Sequence, residues 1–337
     1  MVELTNPATM MSRRFKPEEI PDQTGRVAIV TGGSAGIGFY DALELAQKNA
    51  RVIIISATED HGKKAEEEIN KRVKEKGAAG SVEWIGQDLG DLKGVDALAK
   101  RLASELPRLD ILILNAGVGQ GAYGLTKDGL GNHFAVNDLA HYVIALRLLP
   151  LIEKTVSSGL TPPGTARIVF QSSETHRLAP SDVKFASKEE INDGPDRDAF
   201  VLYGRSKLGM IYNAKGLAKR KIKPDTKIVV TAVHPGTVDT DLQDATTESY
   251  GFLGKVANNF MRLVGKNAQE GAEASLWAAT TTEINADNWT EYQANYYSEP
   301  RGKPHTESDT AKQESIADNY WELCASLTRE ILGEELR

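Results

Sequence analysis

The stretch that decides the fold is Arg26–Tyr40, which reads Arg-Val-Ala-Ile-Val-Thr-Gly-Gly-Ser-Ala-Gly-Ile-Gly-Phe-Tyr. Val27–Val30 is a short apolar run with β-branched residues, which is typical of a buried parallel strand. A helical pattern follows over Phe39–Lys48, so the strand-to-helix turn contains three spaced glycines, Gly32, Gly36 and Gly38. Glycines there permit a tight turn, close approach of a ligand and close helix packing. Because amides at a helix start point outward, the turn favours a pyrophosphate.

The composition of the chain excludes several classes of protein. Its 337 residues carry a net charge of −7, which gives no electrostatic case for binding nucleic acid. A single cysteine, Cys324, cannot form an internal disulfide, so we expect a reducing, cytoplasmic location. No apolar run approaches the roughly 18 residues of a membrane span. The histidines are isolated or lack a third ligand nearby in the sequence, so no metal site is expected.

Apolar runs and helical patterns alternate through most of the chain. Strict alternation of this kind predicts an α/β fold, a doubly wound, mostly parallel seven-stranded Rossmann-type sheet with helices on both faces. The predicted strands are Val27–Val30, Arg51–Ser56, Val82–Gly86, Ile111–Asn115, Arg167–Ser172, Lys227–His234 and Tyr292–Tyr297.

We expect one domain with an extension at each end. Residues 1–25 are polar, contain three prolines and are interpreted as an arm lying across the domain. Residues 26–300 form the Rossmann-type domain, and residues 301–337 form a tail with a helix at about Asp309–Leu332. That helix carries one apolar stripe, which we expect to dock on the domain; the alternative is that it serves a partner.

Polar residues follow several of the predicted strands. Ligands bind at the carboxyl ends of strands in such sheets, and the residues that fall there are Asp88, Asn115, Ser172, Ser173, Pro235 and Gly236. Tyr203 and Lys207 are four residues apart on a predicted helix, so they share one face. A lysine ammonium beside a phenol lowers the pKa of the phenol, which turns it into a usable general acid or base.

At this point the chain resembles the short-chain dehydrogenase/reductase family, and several runs are similar to its retinol-dehydrogenase-like branch. The arm and the tail helix are similar to those of fungal members. The matching motifs are Thr31-Gly32-x-x-x-Gly36-Ile37-Gly38, Asp88-Leu89, Asn115-Ala116-Gly117, Asn137, Ser173, Tyr203-x-x-x-Lys207 and Pro235-Gly236. The branch-specific runs are Pro107–Gly117, Arg167–Ser173 and His234–Val238.

The resemblance implies a nicotinamide-dependent enzyme that interconverts a carbonyl and an alcohol. It implies that Tyr203 moves the proton, Ser173 binds the substrate oxygen, Lys207 holds the cofactor ribose and Asn137 anchors a water. The cofactor-binding residues that it implies are Gly32, Ser34, Gly36, Ile37, Gly38, Asp88, Leu89, Asn115, Ala116, Gly117, Tyr203, Lys207, Pro235, Gly236, Val238 and Thr240. An insertion at Leu178–Arg197 is expected to shape the site entrance.

The second strand predicts a preference for NADP(H) over NAD(H). An acidic residue at the end of this strand would accept the ribose 2′-hydroxyl of NAD. Here the strand ends Ile55-Ser56-Ala57-Thr58, with no acid at that position. A 2′-phosphate would meet hydroxyls there, and the residues expected to help are Ser34, His61, Lys63 and Lys64.

The resemblance implies that a segment at about 240–266 closes over the substrate as a lid. Its apolar residues recur at helical spacing, which favours a lipophilic small-molecule substrate. An alternative role for this segment is peripheral contact with a membrane surface. The resemblance also implies a homodimer formed through the helices His133–Leu149 and Phe200–Lys221.

Two other functions are compatible with the same fold. One is a nucleotide-binding regulator without turnover, which would have no need for Ser173, Tyr203, Lys207 and Asn137 together. The other is non-redox chemistry such as isomerisation or cyclisation. A turnover measurement distinguishes both from a dehydrogenase.

Overall fold

The computed structural model describes residues 14–119, 121–194, 197–236 and 267–336. Within these ranges seven strands form one sheet in the order β3-β2-β1-β4-β5-β6-β7, and each pairing is parallel. The predicted Rossmann-type sheet is therefore confirmed. The strands are β1 (Val27–Thr31), β2 (Arg51–Ser56), β3 (Ser81–Gly86), β4 (Ile111–Leu114), β5 (Arg167–Gln171), β6 (Val229–Val233) and β7 (Tyr296–Tyr297).

Helices cover both faces of the sheet. Because successive side chains of a strand point to opposite faces, Val27 and Ile29 of β1 enter one apolar core, while Ala28 and Val30 enter the other. The first core is completed by α3, α4, α5 and α7, and the second by α1, α2 and α6. The helices are α1 (Gly36–Gln47), α2 (Glu59–Glu75), α3 (Leu92–Glu105), α4 (Asn132–Ser157), α5 (Ala199–Arg220), α6 (Ala268–Thr280) and α7 (Glu314–Leu332).

Two element boundaries near the C-terminus differ from the sequence prediction. The last strand has only two residues, because Trp289–Tyr292 forms a helical turn before it. The tail helix begins at Glu314, since Thr310–Lys312 takes a tighter 3₁₀ conformation. Both differences lie at element ends, where local sequence preferences are weak.

The helix α4 is the main apolar helix beside the sheet. Among the described residues it is the one helix long and apolar enough to cross a membrane, judged by length and composition alone. In the fold, 83% of its most apolar window is buried inside the protein. Such burial is typical of a core helix.

The two chain extensions both contact the domain. Phe15 and Ile20, which precede β1, are each 2% exposed and lie in the core beneath α6. In the tail, Trp321 of α7 packs edge-on against Tyr142 of α4 at 4.8 Å between ring centroids. A Cβ added at Gly216 of α5 would come within 2.2 Å of the Trp321 ring, so this glycine allows the close packing. The helix α7 therefore covers part of α4 and α5, the two helices expected to pair in a dimer.

The order of the strands determines which edge of the sheet can bind a ligand. The chain leaves β1 toward β2 on one side, whereas β4 pairs with β1 on the other side. Such a reversal opens a crevice outside the carboxyl ends of the strands. The glycine turn follows β1, and Asn115 follows β4, so both face this crevice.

Candidate active site

The glycine turn is built against the end of β4. Gly32 and Gly36 have φ angles of +70° and +55°, which residues with a side chain rarely adopt. A Cβ at Gly38 would lie 2.4 Å from the Gly32 carbonyl oxygen and 2.5 Å from Asn115 Nδ2. Three glycines are therefore required for α1 to begin directly against the turn. The free amides in the first turn of this 12-residue helix fit a phosphate group.

The other predicted cofactor residues lie around the same crevice, with differing exposure. Asp88 is exposed and accepts a hydrogen bond from the Gly90 amide at 2.8 Å, whereas the Leu89 side chain is buried in the core. The partly exposed ones are Gly32, Ser34, Gly36, Ile37, Asn115, Ala116, Gly117, Pro235 and Gly236. Val238, Thr240 and the predicted lid lie outside the described residues.

The Thr31 hydroxyl organises the junction between β1 and β4. Its oxygen accepts hydrogen bonds from the amides of Asn115 (2.9 Å) and Ala116 (3.0 Å), so its proton is directed to His141 Nε2 at 2.9 Å. His141 Nδ1 then carries the proton and donates to the Asn137 carbonyl at 2.8 Å. Burial lowers the pKa of His141 to about 3, which keeps this ring neutral. A neutral histidine thus links the glycine turn to Asn137.

Asn137 lies in a widened turn of α4, over Ala135–Leu139, and is fully buried. Its side-chain oxygen accepts from the Val118 amide at 2.8 Å, and its nitrogen donates to the Val118 carbonyl and to Ser206 Oγ at 2.9 Å. A Cβ on Gly117 would lie 3.0 Å from Asn137 Oδ1 and 3.5 Å from Lys207 Nζ. The loop after β4 therefore rests directly on Asn137 and Lys207.

The two serines after β5 have different environments. Ser172 is 1% exposed, and its hydroxyl donates to the Lys207 carbonyl at 2.7 Å, which ties the strand end to α5. Ser173 is partly exposed, and its hydroxyl oxygen accepts from the Thr175 amide at 3.2 Å. With its oxygen used as an acceptor, the Ser173 hydroxyl has its proton to offer to a ligand. Of the two hydroxyls, that of Ser173 is therefore the one accessible to a ligand, and its catalytic role stays a prediction.

Tyr203 and Lys207 lie on one face of α5, as predicted. Lys207 Nζ lies 5.4 Å from the centroid of the Tyr203 ring and donates to the Gln171 carbonyl at 3.0 Å. A Cβ on Gly204 would lie 2.5 Å from the Thr175 carbonyl oxygen, so this glycine lets α5 approach the turn that begins at Ser173. The part of α5 that carries Tyr203 and Lys207 therefore packs against the turn that begins at Ser173.

The predicted lowering of the Tyr203 pKa is wrong for this structure. Burial raises the pKa of Tyr203 above its usual value, because the charged phenolate would lose its hydration. Burial also lowers the pKa of Lys207 to about 8, against the opposing effect of Asp138. At pH 7 the tyrosine is accordingly a neutral acid beside a lysine that is still largely protonated.

Asp138 is a residue of this site that the sequence analysis missed. It is fully buried, and neither carboxyl oxygen has a hydrogen-bond partner among the described residues. A Cβ on Gly209 would lie 2.4 Å from Asp138 Oδ1, so α5 makes room for the carboxyl group. Burial raises the pKa of Asp138 well above its usual value, which favours the neutral acid. Its position directly after Asn137 is the one signal in the sequence that points to it.

The end of β2 presents few free groups for a ribose phosphate. The Ser56 hydroxyl accepts from Trp84 Nε1 at 2.9 Å, and Lys63 pairs with Glu59 at 2.5 Å. His61 and Lys64 are exposed on α2. Across the described ranges, no group of three or more histidine, cysteine or acidic residues is arranged to hold a metal ion.

The comparisons with known proteins identify the family. The short chain dehydrogenase family model matches residues 26–179. The oxidoreductase bli-4 of Neurospora crassa, mitochondrial by its name, is 33% identical over 330 residues, which cover 95% of this chain and 75% of the relative. Polyprenol dehydrogenase of Danio rerio is 30% identical over 82% of this chain and 80% of its own length. Retinol dehydrogenase 14 of Mus musculus is 29% identical over 89% of this chain and 84% of its own length.

The chain therefore belongs to the short-chain dehydrogenase family and is an oxidoreductase with retinol-dehydrogenase-like relatives. Solved structures support the fold. A protein of Mycobacterium paratuberculosis superposes with a TM-score of 0.68 at 24% identity and covers 96% of this chain and 99% of its own. A short chain dehydrogenase of Burkholderia cenocepacia in complex with NADP has a TM-score of 0.59 at 23% identity and covers 83% of this chain and 98% of its own. The relatives favour redox chemistry over a regulator without turnover.

Proposed function

We propose that this protein is an NADP(H)-dependent oxidoreductase that interconverts a carbonyl and an alcohol on a lipophilic small molecule. The observation that supports the proposal is that Lys207 Nζ lies 5.4 Å from the Tyr203 ring on α5, which packs at Gly204 against the turn that begins at Ser173, whose hydroxyl oxygen accepts from the Thr175 amide. A carbonyl oxygen placed there can accept from Ser173 and take a proton from Tyr203. Both interactions strengthen as negative charge develops on that oxygen.

Tyr203 acts as the general acid in the reducing direction. Because burial raises the pKa of Tyr203, the hydroxyl is protonated at neutral pH and can give its proton to a nascent alkoxide. Lys207, whose pKa burial lowers to about 8, supplies charge and a proton reserve close to the phenol. Oxidation of an alcohol uses the same residues in reverse.

The residues around the crevice fit a nicotinamide dinucleotide. The α1 amides near Ser34, Gly36 and Ile37 would hold its pyrophosphate, and Lys207 would hold the nicotinamide ribose. Bound there, the cofactor supplies the hydride, while the protein supplies position and electrostatics. The fit rests on the glycine turn, where the positive φ angles of Gly32 and Gly36 and the close contact at Gly38 let α1 begin directly against the end of β4.

A lipophilic substrate is supported by two observations. Leu125, in the loop after β4, and Leu178, at the end of the turn that starts at Ser173, are exposed apolar side chains, 60% and 50% accessible. In addition, two relatives are named for polyprenol and retinol, which are apolar alcohols.

We also propose a cytoplasmic location. A homodimer stays a prediction, and α7 would have to share α4 and α5 with the partner.

A turnover screen tests the proposed function. The purified protein is mixed with NADPH and a panel of aldehydes, ketones and quinones, and the loss of cofactor absorbance is followed. We expect turnover of apolar carbonyls, with kcat/KM rising with apolar chain length as more surface is buried. A best substrate that is a sugar or a charged acid contradicts the lipophilic assignment, and no redox turnover of any compound contradicts the proposed function.

NADPH is expected to bind at least about tenfold more tightly than NADH, a difference of about 1.4 kcal/mol. The physical reason is the absence of an acid at the end of β2, where a carboxylate would repel a 2′-phosphate. Ser56→Asp places a carboxylate there and is expected to reverse the preference. Dissociation constants of both cofactors for both proteins, by isothermal titration calorimetry, give the answer. Equal or tighter binding of NADH by the unchanged protein refutes the NADP(H) assignment.

A further inference from the structure

A buried histidine joins the turn at Ser173 to the C-terminal segment. His176 is 1% exposed, and its Nδ1 lies 2.7 Å from the Ser173 carbonyl oxygen. On the other side of the ring, the Ser308 amide donates to His176 Nε2 at 3.0 Å. Since a backbone amide can only donate, Nε2 is the unprotonated nitrogen and Nδ1 carries the proton. The neutral ring therefore bridges Ser173 and Ser308, which are far apart in the sequence.

Other contacts hold the same turn in place. The His176 ring packs edge-on against Tyr296 of β7 at 5.0 Å between centroids, and the Tyr296 hydroxyl donates to Glu174 Oε1 at 2.8 Å. The Glu174 amide donates to His234 Nδ1 at 3.2 Å. Arg177 bonds both Glu174 and the Thr306 carbonyl of the tail. The residues after Ser173 are thus anchored to β7, to the end of β6 and to the tail.

We propose that His176 is a positioning residue for the reaction, which fixes the Ser173 main chain against the C-terminal segment. This inference rests on the proposed function of Ser173. The Ser173 hydroxyl is oriented by the Thr175 amide two residues ahead, and the Ser173 carbonyl is held by the His176 ring in the same turn. A shift of this turn moves the hydroxyl relative to Tyr203. Residues 306–308 then serve catalysis without touching the substrate.

The bridge requires a neutral histidine. Burial lowers the pKa of His176 below its usual 6.5; the hydrogen bond to the Ser173 carbonyl and the charges of Glu174 and Glu307 oppose this effect, and Arg177 adds to it. The uncharged Tyr296 faces the ring. Protonation would place an Nε2–H group against the Ser308 amide and break the bridge. We therefore expect kcat to fall as the pH drops through the pKa of His176, which lies below 6.5, and to reach its full value above that pKa.

The test compares two variants of His176. His176→Phe keeps an aromatic ring but neither hydrogen bond, and kcat is expected to fall by about 10²-fold with cofactor affinity unchanged. His176→Asn keeps a donor near the Nδ1 position and cannot titrate. Because it has no acceptor for the Ser308 amide, it reproduces the contacts of the protonated ring. Its kcat is therefore expected to lie between those of His176→Phe and the wild type, at the low-pH level of the wild type, with no acid limb in the pH profile. The matched control is His305→Asn, which replaces an exposed histidine of the tail. Asparagine tolerates the φ angle of 62° at this position, so the control is expected to keep the acid limb.

Two results would overturn the inference. Wild-type kcat in His176→Phe shows that the ring does not position Ser173, and an unchanged acid limb in His176→Asn shows that another group titrates. Nitrogen-15 NMR of the histidine rings provides a measurement independent of turnover. An Nε2-protonated His176 refutes the bridge, whereas an Nδ1-protonated ring in a protein without any turnover refutes the proposed function and leaves the bridge structural.

Discussion

Replacing Tyr203 by phenylalanine is expected to lower turnover by about 10²–10⁴, the usual contribution of a general acid. The change removes one hydroxyl, while the ring keeps its buried position on α5. Cofactor affinity should stay within about twofold, because the ribose is assigned to Lys207. The measurement is kcat on the best substrate of the screen, together with the cofactor dissociation constant. A Tyr203→Phe protein with wild-type turnover would refute the assignment of the proton donor.

Tyr212 offers the matched control for this experiment. It lies on the same helix, is fully buried, and its hydroxyl donates to the Thr310 carbonyl of the tail at 2.6 Å. Tyr212→Phe removes a hydroxyl of the same kind that does not face the crevice. It is expected to cost about 1 kcal/mol of stability and to leave kcat unchanged. The contrast separates loss of a proton donor from loss of a buried hydrogen bond.

Replacing Ser173 by alanine is expected to lower kcat by about 10²–10³, the size of a missing donor to a developing oxyanion. The physical reason is that the Ser173 hydroxyl offers its proton to the crevice, with its oxygen bound to the Thr175 amide. Ser172→Ala instead removes the buried hydrogen bond to the Lys207 carbonyl. Its main expected effect is a stability loss of about 1 kcal/mol, seen as a lower midpoint of denaturation. A larger loss of kcat for Ser172→Ala than for Ser173→Ala would assign the substrate-binding role to Ser172.

The apolar pattern of the C-terminal helix predicted its buried face but not the surface on which that face packs. The apolar stripe of α7 is readable because Ile316, Tyr320 and Leu323 recur at helical spacing. The pattern left open whether the stripe docks on the domain or on a partner. In the fold Tyr320 is fully buried, with its ring 5.0 Å from that of Phe185. Contacts between residues more than a hundred positions apart decided this.

The sequence by itself determined the fold and most of the candidate site. The strand, glycine turn and helix at Arg26–Tyr40 are encoded locally, because glycine conformations and hydrophobic periodicity act over a few residues. The common edge for Asn115 and Ser173 follows from the rule that parallel strands end together. The spacing of Tyr203 and Lys207 places both on one helix face.

The tertiary structure alone decided the electrostatics and the support of that site. The direction of the Tyr203 pKa shift depends on burial, which is set by packing from the whole domain and not by its neighbour Lys207. The roles of His141 and His176 depend on Thr31 and Ser308, residues 110 and 132 positions away. No local pattern records such partners, because hydrogen bonds across the fold form only when the sheet and its helices bring distant residues together.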